Sequence, residues 1–172
     1  PKGTIALDVG ASTGGFTDVL LKRGAQRVVA LDVGHGQLDW RLRQDSRVTV
    51  LERHHIGNVT PDRLPKDLRL FDIIAVDVSF ISINYFVERL PALLNADGDL
   101  VVLVKPQFEA GRAEVKRGGL VTDPEVHRRV VTGVASAAAE VGLIRVATTP
   151  SPITGVEGNM EFFLHLRHTA KP

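Results

Sequence analysis

Asp8-Val9-Gly10-Ala11-Ser12-Thr13-Gly14-Gly15-Phe16 is the stretch on which the reading of this chain turns. It follows a short apolar run over residues 4–9 (TIALDV) and leads into a stretch of helical character over residues 16–23. Glycines at such a junction let the chain turn tightly and let its backbone approach a ligand closely. Outward from it, strand-length apolar runs continue to alternate with helical stretches. Strands are predicted over residues 27–32, 48–51, 71–77, 99–104, 143–148 and 160–166. Helices are predicted over residues 37–43, 85–94 and 124–141, the last with Asp123 as N-cap and Pro124 in its first position. Asp97-Gly98 reads as a turn ahead of the fifth strand. Continuous rather than alternating apolar runs suit parallel strands covered on both faces. Strand–helix alternation implies right-handed crossovers and a doubly wound sheet. No helix separates the last two strands, so these should pair antiparallel. The expectation is a Rossmann-like α/β domain over residues 1–172, a mostly parallel seven-stranded sheet with an antiparallel last strand and helices on both faces.

Composition narrows the class. The chain is 44% hydrophobic and 24% charged, which is globular and not disordered composition. It has no cysteine, which removes disulfides, thiolate metal sites and a cysteine nucleophile and fits a reducing, cytoplasmic setting. No run approaches the roughly 18 apolar residues needed to span a bilayer, and no leader opens the chain. The start at Pro1-Lys2-Gly3 runs almost directly into a strand, so a fragment of a longer protein is expected. A formal net charge of +1 argues against a surface that grips a polyanion all over.

In open parallel sheets ligands bind outside the carboxyl ends of the strands, at the switch point. Asp8, Gly10, Ala11, Ser12, Thr13, Gly14, Gly15 and Phe16 gather there, with Asp32, Val33 and Gln37 at the end of the second strand. An acid in the position of Asp32 accepts hydrogen bonds from ribose hydroxyls. The chain has neither Gly-x-Gly-x-x-Gly nor Gly-Lys-Ser/Thr, so the dinucleotide fingerprint and the phosphate loop are absent. A carboxylate two residues before the first glycine would repel a pyrophosphate. It suits a cofactor with an ammonium and a sulfonium, S-adenosylmethionine, and with it the class I methyltransferase version of this fold. The plainer alternative is that the glycines only cap strand and helix.

Three further residues suggest a reaction. Asp77 ends the fourth strand, Lys105 ends the fifth in LVKPQFE, and Glu161 opens the last in GNMEFF. Each has an ordinary alternative: Asp77 an N-cap or a cofactor contact, Lys105 a snorkelling side chain, Glu161 an exposed strand residue. Met160, Phe162, Leu164 and Leu166 should take one face of the last strand and Glu161 the other. Together they fit hydroxyl-directed chemistry, because a hydroxyl is a poor nucleophile until its proton is removed. A lysine can take that proton as a neutral amine, which burial favours and neighbouring carboxylates oppose. Methyl transfer relies on in-line placement and needs no metal. His54-His55 reads as a surface pair. The loop over residues 109–120 is basic and glycine-containing and should be mobile. Arg112, Lys116 and Arg117 on it, with His127, Arg128 and Arg129 beyond, form a candidate RNA face, or else a solvated basic one.

With these residues in view, the chain resembles the TlyA group of FtsJ-like ribose methyltransferases, many of which carry the name haemolysin. The matching pieces are LDVGASTGGFTDVLL, ALDVGHGQLDWRLR, VDVSFIS, LVKPQFE, GGLVTDP and GNMEFFLHLR. The resemblance implies 2′-O-methylation of cytidine in ribosomal RNA or ribosomal subunits. It also implies a Lys-Asp-Lys-Glu catalytic set whose last three members fall on Asp77, Lys105 and Glu161. The first lysine and an N-terminal RNA-binding domain of the family lie upstream of Pro1, unless Lys2 substitutes for the former. The chain departs from the family at His35, where Tyr is usual, and at Arg53-His54-His55, where Arg-Thr-Asn is usual. Two other readings stay open: a cofactor- or RNA-binding module inactive in this form, and a membrane-active toxin, which lacks support from any spanning or strongly amphipathic segment.

Overall fold

The structure, a computed structural model, describes residues 1–169. Strands β1 (Ile5–Val9), β2 (Arg27–Leu31), β3 (Val48–Leu51), β4 (Phe71–Val76), β5 (Leu94–Val104), β6 (Leu143–Pro150) and β7 (Phe162–His168) form one sheet. Its order is β3-β2-β1-β4-β5-β7-β6. The first five strands run parallel. Strand β7 slots between β5 and β6 and runs antiparallel to both. The mixed sheet is as the strand pattern predicts. The chain leaves β1 toward β2 and β3 on one side, then returns to β4 on the other, which opens a cleft above the ends of β1 and β4.

Helices α1 (Gly15–Lys22), α2 (Trp40–Arg43), α3 (Pro106–Glu109) and α4 (Pro124–Glu140) complete the regular elements. Helix α4 turns Val126, Val130, Val134 and Ala138 inward, a stripe at helical spacing. That stripe packs into a core with Leu100, Val102, Leu164 and Leu166 from the sheet. Helix α1 covers the opposite face with Leu20 and Leu21 on Ala6 and Val28. Helices therefore lie on both faces, as expected.

Three local expectations fail, each for a physical reason. The predicted helix over residues 85–94 is instead three 3-10 turns, Ile83–Tyr85, Val87–Arg89 and Pro91–Leu93. Apolar residues three apart serve a 3-10 turn as well as an α-helix, and Pro91 cannot donate the backbone bond that would continue a helix. Asp97-Gly98 is no turn before a strand but a bulge within β5, where Phe71 pairs with Leu94 and Ile73 with Asp99. The helix predicted over residues 37–43 shrinks to α2, because the Asp39 side chain caps the chain there by accepting from Arg41 N–H at 2.8 Å.

The cap predicted for the long helix holds. Asp123 accepts from Glu125 N–H at 2.8 Å and Pro124 follows in the first position. Replacing Asp123 by Ala should cost about 1 kcal/mol of stability in urea denaturation, while Asn, which keeps the acceptor, should cost only a few tenths.

Candidate active site

Gly10 follows β1 with φ at +82°, and a Cβ there would lie 2.1 Å from the Asp77 carbonyl oxygen. Only glycine lets this loop pass so close to the end of β4. Gly10 and Ala11 both donate backbone N–H groups to the Leu31 carbonyl, at 2.8 and 3.1 Å. Gly14, at φ +101°, lies against Leu38 and Leu42, where a side chain would have no room. The loop is thus pressed between two neighbours and anchored to β2.

Asp32 takes the position expected of it. Its Oδ2 accepts from Ser12 N–H at 2.8 Å and its Oδ1 from Gly34 N–H at 2.7 Å. Each oxygen keeps lone pairs for a further donor. Gly10, Ser12, Asp32, Val33, Gln37 and Asp77 line one pocket of about 420 Å³, within the range of small-molecule sites. Ala11, Thr13, Gly15 and Phe16 line an adjoining groove that shares Gly10, Ser12 and Asp77 with it. Asp8 lies behind the wall, fully buried. Its Oδ2 accepts from Thr17 N–H at 2.8 Å and from the Thr17 hydroxyl at 2.7 Å, tying α1 to β1. Its Oδ1 has no hydrogen-bond partner. Asp8 was expected to face the cofactor; its geometry makes it a brace for the loop.

Lys105 Nζ lies 2.6 Å from Asp77 Oδ1 and donates to Ser79 Oγ at 3.1 Å. The Lys105 side chain is only 13% exposed, so solvent screens this ion pair weakly. Strand register brings in the third residue. Val104 pairs with Phe162, which sets Lys105 and Glu161 across from each other just beyond the ends of the two strands. Glu161 is buried, at 8% exposure, and accepts from Gln107 Nε2 at 3.3 Å. It precedes β7 rather than opening it, and Met160 beside it is exposed rather than part of the core face. Gly155 makes the room, since a Cβ there would meet Glu161 Oε1 at 2.1 Å.

Several pocket residues carried no sequence signal. His55, Ile56, Ser79, Phe80, Ile81 and Phe86 line the same pocket. His55 is a surface residue as predicted, but its surface is the pocket rim. Position alone could have found it, since it follows the end of β3 at the same sheet edge. Phe80 is 90% exposed, sits at φ +66°, and rests its ring 5.1 Å from that of Phe108. Next to the pocket, Arg53, His54, His55 and Arg63 line a cleft of about 300 Å³ with no acid among its walls.

The expected RNA face is partly dismantled. Arg112, Lys116 and Arg117 are exposed. Lys116 donates to Thr122 Oγ1 at 2.6 Å. His127 is buried instead, bonded to the Val121 carbonyl at 2.9 Å and packed on Phe162. Arg128 pairs with Glu125 and Arg129 with Glu114. Within the loop over residues 109–120 Lys116 N–H bonds to the Leu120 carbonyl, and Asn159 Nδ2 donates to the Gly119 carbonyl. Lys2 packs beside Gly24 at the opposite edge of the sheet, so it cannot join Asp77 and Lys105.

A model of the FtsJ-like methyltransferases matches residues 1–168. The chain belongs to this family. The 16S/23S rRNA (cytidine-2′-O)-methyltransferase TlyA of Mycobacterium tuberculosis is 48% identical over 96% of the chain, and the chain spans 60% of that relative's length. A solved structure from Streptococcus thermophilus, described as a candidate hemolysin, superposes with a TM-score of 0.94 at 42% identity, covering 99% of this chain and 61% of that one. A candidate S-adenosylmethionine-dependent methyltransferase from Listeria monocytogenes, 15% identical, shares the fold with a TM-score of 0.71 over 98% of this chain and 92% of its own. Among the described residues no helix is long and apolar enough to cross a membrane.

Burial pushes the Asp8 carboxyl up from 3.8 to about 6, against the two Thr17 bonds and helped by the charges of Asp77 and Asp32. A carboxyl whose folded pKa lies above its unfolded value holds its proton more tightly when folded. Its favourable contribution is complete below about pH 4 and is lost as pH rises to about 6. Against Asp8→Asn, the wild-type chain should lose on the order of 3 kcal/mol over that window. Denaturant midpoints of both proteins from pH 4 to 7 check this, and parallel curves would refute it.

Proposed function

We propose that this chain transfers a methyl group from S-adenosylmethionine to the 2′-hydroxyl of a cytidine in ribosomal RNA. The observation that carries the reading is the Lys105–Asp77 ion pair at 2.6 Å on the wall of the Asp32 pocket. The M. tuberculosis relative, whose name specifies cytidine-2′-O methylation of 16S and 23S rRNA, supports the choice of substrate.

The residues present fit the cofactor. Asp32 keeps acceptor capacity for ribose hydroxyls beyond the Ser12 and Gly34 amides. Gly10 keeps the loop low beside Asp77, and Asp32 and Asp77 lend the pocket negative charge suited to a cation. When bound, S-adenosylmethionine supplies an electrophilic methyl group on its sulfonium. Lys105, an ammonium while paired with Asp77, must give up a proton before its neutral amine can accept that of the attacking hydroxyl. Asp77 and Ser79 hold the Lys105 nitrogen from two sides. Glu161, across from Lys105 and bonded to Gln107, is a second carboxylate on the proton's way out.

The RNA side follows from exposed groups. The open face of Phe80 offers a base a stacking partner, worth about 1–3 kcal/mol per base. Arg112 and Arg117, with the cleft of Arg53 and Arg63, neutralise phosphates and release counterions.

Two experiments test this reading. Asp32→Ala should weaken S-adenosylmethionine binding at least tenfold by calorimetry, since hydrogen bonds to a charged group contribute about 1.5–3 kcal/mol. Unchanged affinity, or preferred binding of NAD, would overturn the cofactor assignment. In the full-length protein, Lys105→Ala should abolish methyl transfer to ribosomal RNA and leave cofactor affinity within a few-fold. Lys105→Arg is the sharper variant, because guanidinium keeps the charge and does not deprotonate in proteins. Near-normal turnover by the Arg variant would make Lys105 an electrostatic or positioning group and refute its role as base.

A further inference from the structure

Glu109 ends α3 and does not line the pocket, yet it holds the pocket's wall. Its Oε2 accepts from the Ser82 hydroxyl at 2.6 Å and its Oε1 from Ile83 N–H at 2.9 Å. Both donors stand at the foot of the loop over residues 77–83, which carries Asp77, Ser79 and Phe80. Burial pushes the Glu109 carboxyl above its ordinary range. Hydrogen bonds to a carboxylate withdrawn from water are stronger than those between neutral groups.

The loop needs such a hold. Phe80 has φ at +66°, a left-handed conformation that costs an L-residue about 1–2 kcal/mol. Phe80 is 90% exposed, so burial does little to offset that cost. Strain of this kind persists only where surrounding contacts impose it. The segment after β5 supplies three: Lys105 to Ser79 Oγ at 3.1 Å, the Phe108 ring 5.1 Å from the Phe80 ring, and Glu109 to Ser82 and Ile83. The first two reach Ser79 and Phe80, which line the pocket. The third acts from behind, at the base of the loop.

We propose that Glu109 is a positioning residue for the RNA acceptor, locking the loop after β4 onto the segment after β5 so that Ser79 and Phe80 keep their place relative to Lys105. This rests on the RNA-methylating reading above. Glu109 shares no bond with Asp32, Ser12 or Gly34, so it bears on the cofactor only through the loop over residues 77–83.

The test uses the full-length protein with ribosomal RNA and S-adenosylmethionine. Misplacement of reacting groups can cost on the order of 10²-fold, so Glu109→Ala should lower kcat by about that factor. KM for RNA and the calorimetric Kd for S-adenosylmethionine should stay within a few-fold. Glu109→Gln, which keeps an acceptor for Ile83 N–H and offers an amide donor to the Ser82 oxygen, should restore most of kcat. Ser82→Ala should lower kcat less, and adding it to Glu109→Ala should lower it little further. The proposal is overturned if Glu109→Ala turns over like wild type. It is equally overturned if cofactor affinity falls in step with kcat, or if Gln is no better than Ala. A wild-type protein that binds cofactor but leaves RNA unmethylated would instead strike down the functional reading, and this proposal with it.

Discussion

The structure depends on one close approach, the passage of Gly10 beside the Asp77 carbonyl. Any other residue would put a Cβ 2.1 Å from that oxygen. The contact exists because β1 and β4 are neighbours whose chains leave the sheet together, with Asp77 N–H bonded to the Val9 carbonyl at 2.8 Å. From it follow the turn into α1, the brace of Asp8 on Thr17 and the depth of the pocket. A side chain at position 10 would lift the glycine loop off β4 and part Ser12 and its Asp32 bond from Asp77.

Charge is distributed around that crossing with a clear division. Asp8, Asp32 and Asp77 stand close enough that the latter two raise the proton affinity of the first. Asp32 is satisfied by backbone amides and Asp77 by Lys105. The deep carboxylate keeps one oxygen without a hydrogen-bond partner. Arg53 and Arg63 line the neighbouring cleft instead, and Arg112 and Arg117 are exposed on the loop after α3. This arrangement makes a net charge of only +1 compatible with the proposed contact to a polyanion. The positive charge is local, while the Arg residues of the α4 region are spent on Glu114 and Glu125.

The segment after β5 joins the two halves of the site. Lys105 reaches Asp77 and Ser79, Gln107 reaches Glu161, Phe108 meets Phe80, and Glu109 holds Ser82 and Ile83. Lys105, Phe108 and Glu109 thereby serve the wall after β4, and Gln107 the wall before β7. Pro106 starts the single turn of α3 that gives these side chains their different directions.

What the sequence by itself determined is the part governed by local periodicity and by short-range backbone needs. The apolar runs, the glycines after β1, the acid after β2 and the cap at Asp123 are legible because each depends on residues a few positions away. Asp77 and Lys105 were legible as strand-end residues of one sheet edge. The tertiary structure alone decided where distant segments meet. The register of β7 on β5 buries Glu161 opposite Lys105, the return of the chain after β3 turns His55 into the pocket, and the packing of α4 takes His127 inside. Residues 85–94 stayed ambiguous because three-residue spacing serves two kinds of helix, and only the absent donor of Pro91 and the packing of Phe86 and Leu90 chose between them. Burial and partnership at a site are sums over contacts from far along the chain, and no window of sequence contains those contacts.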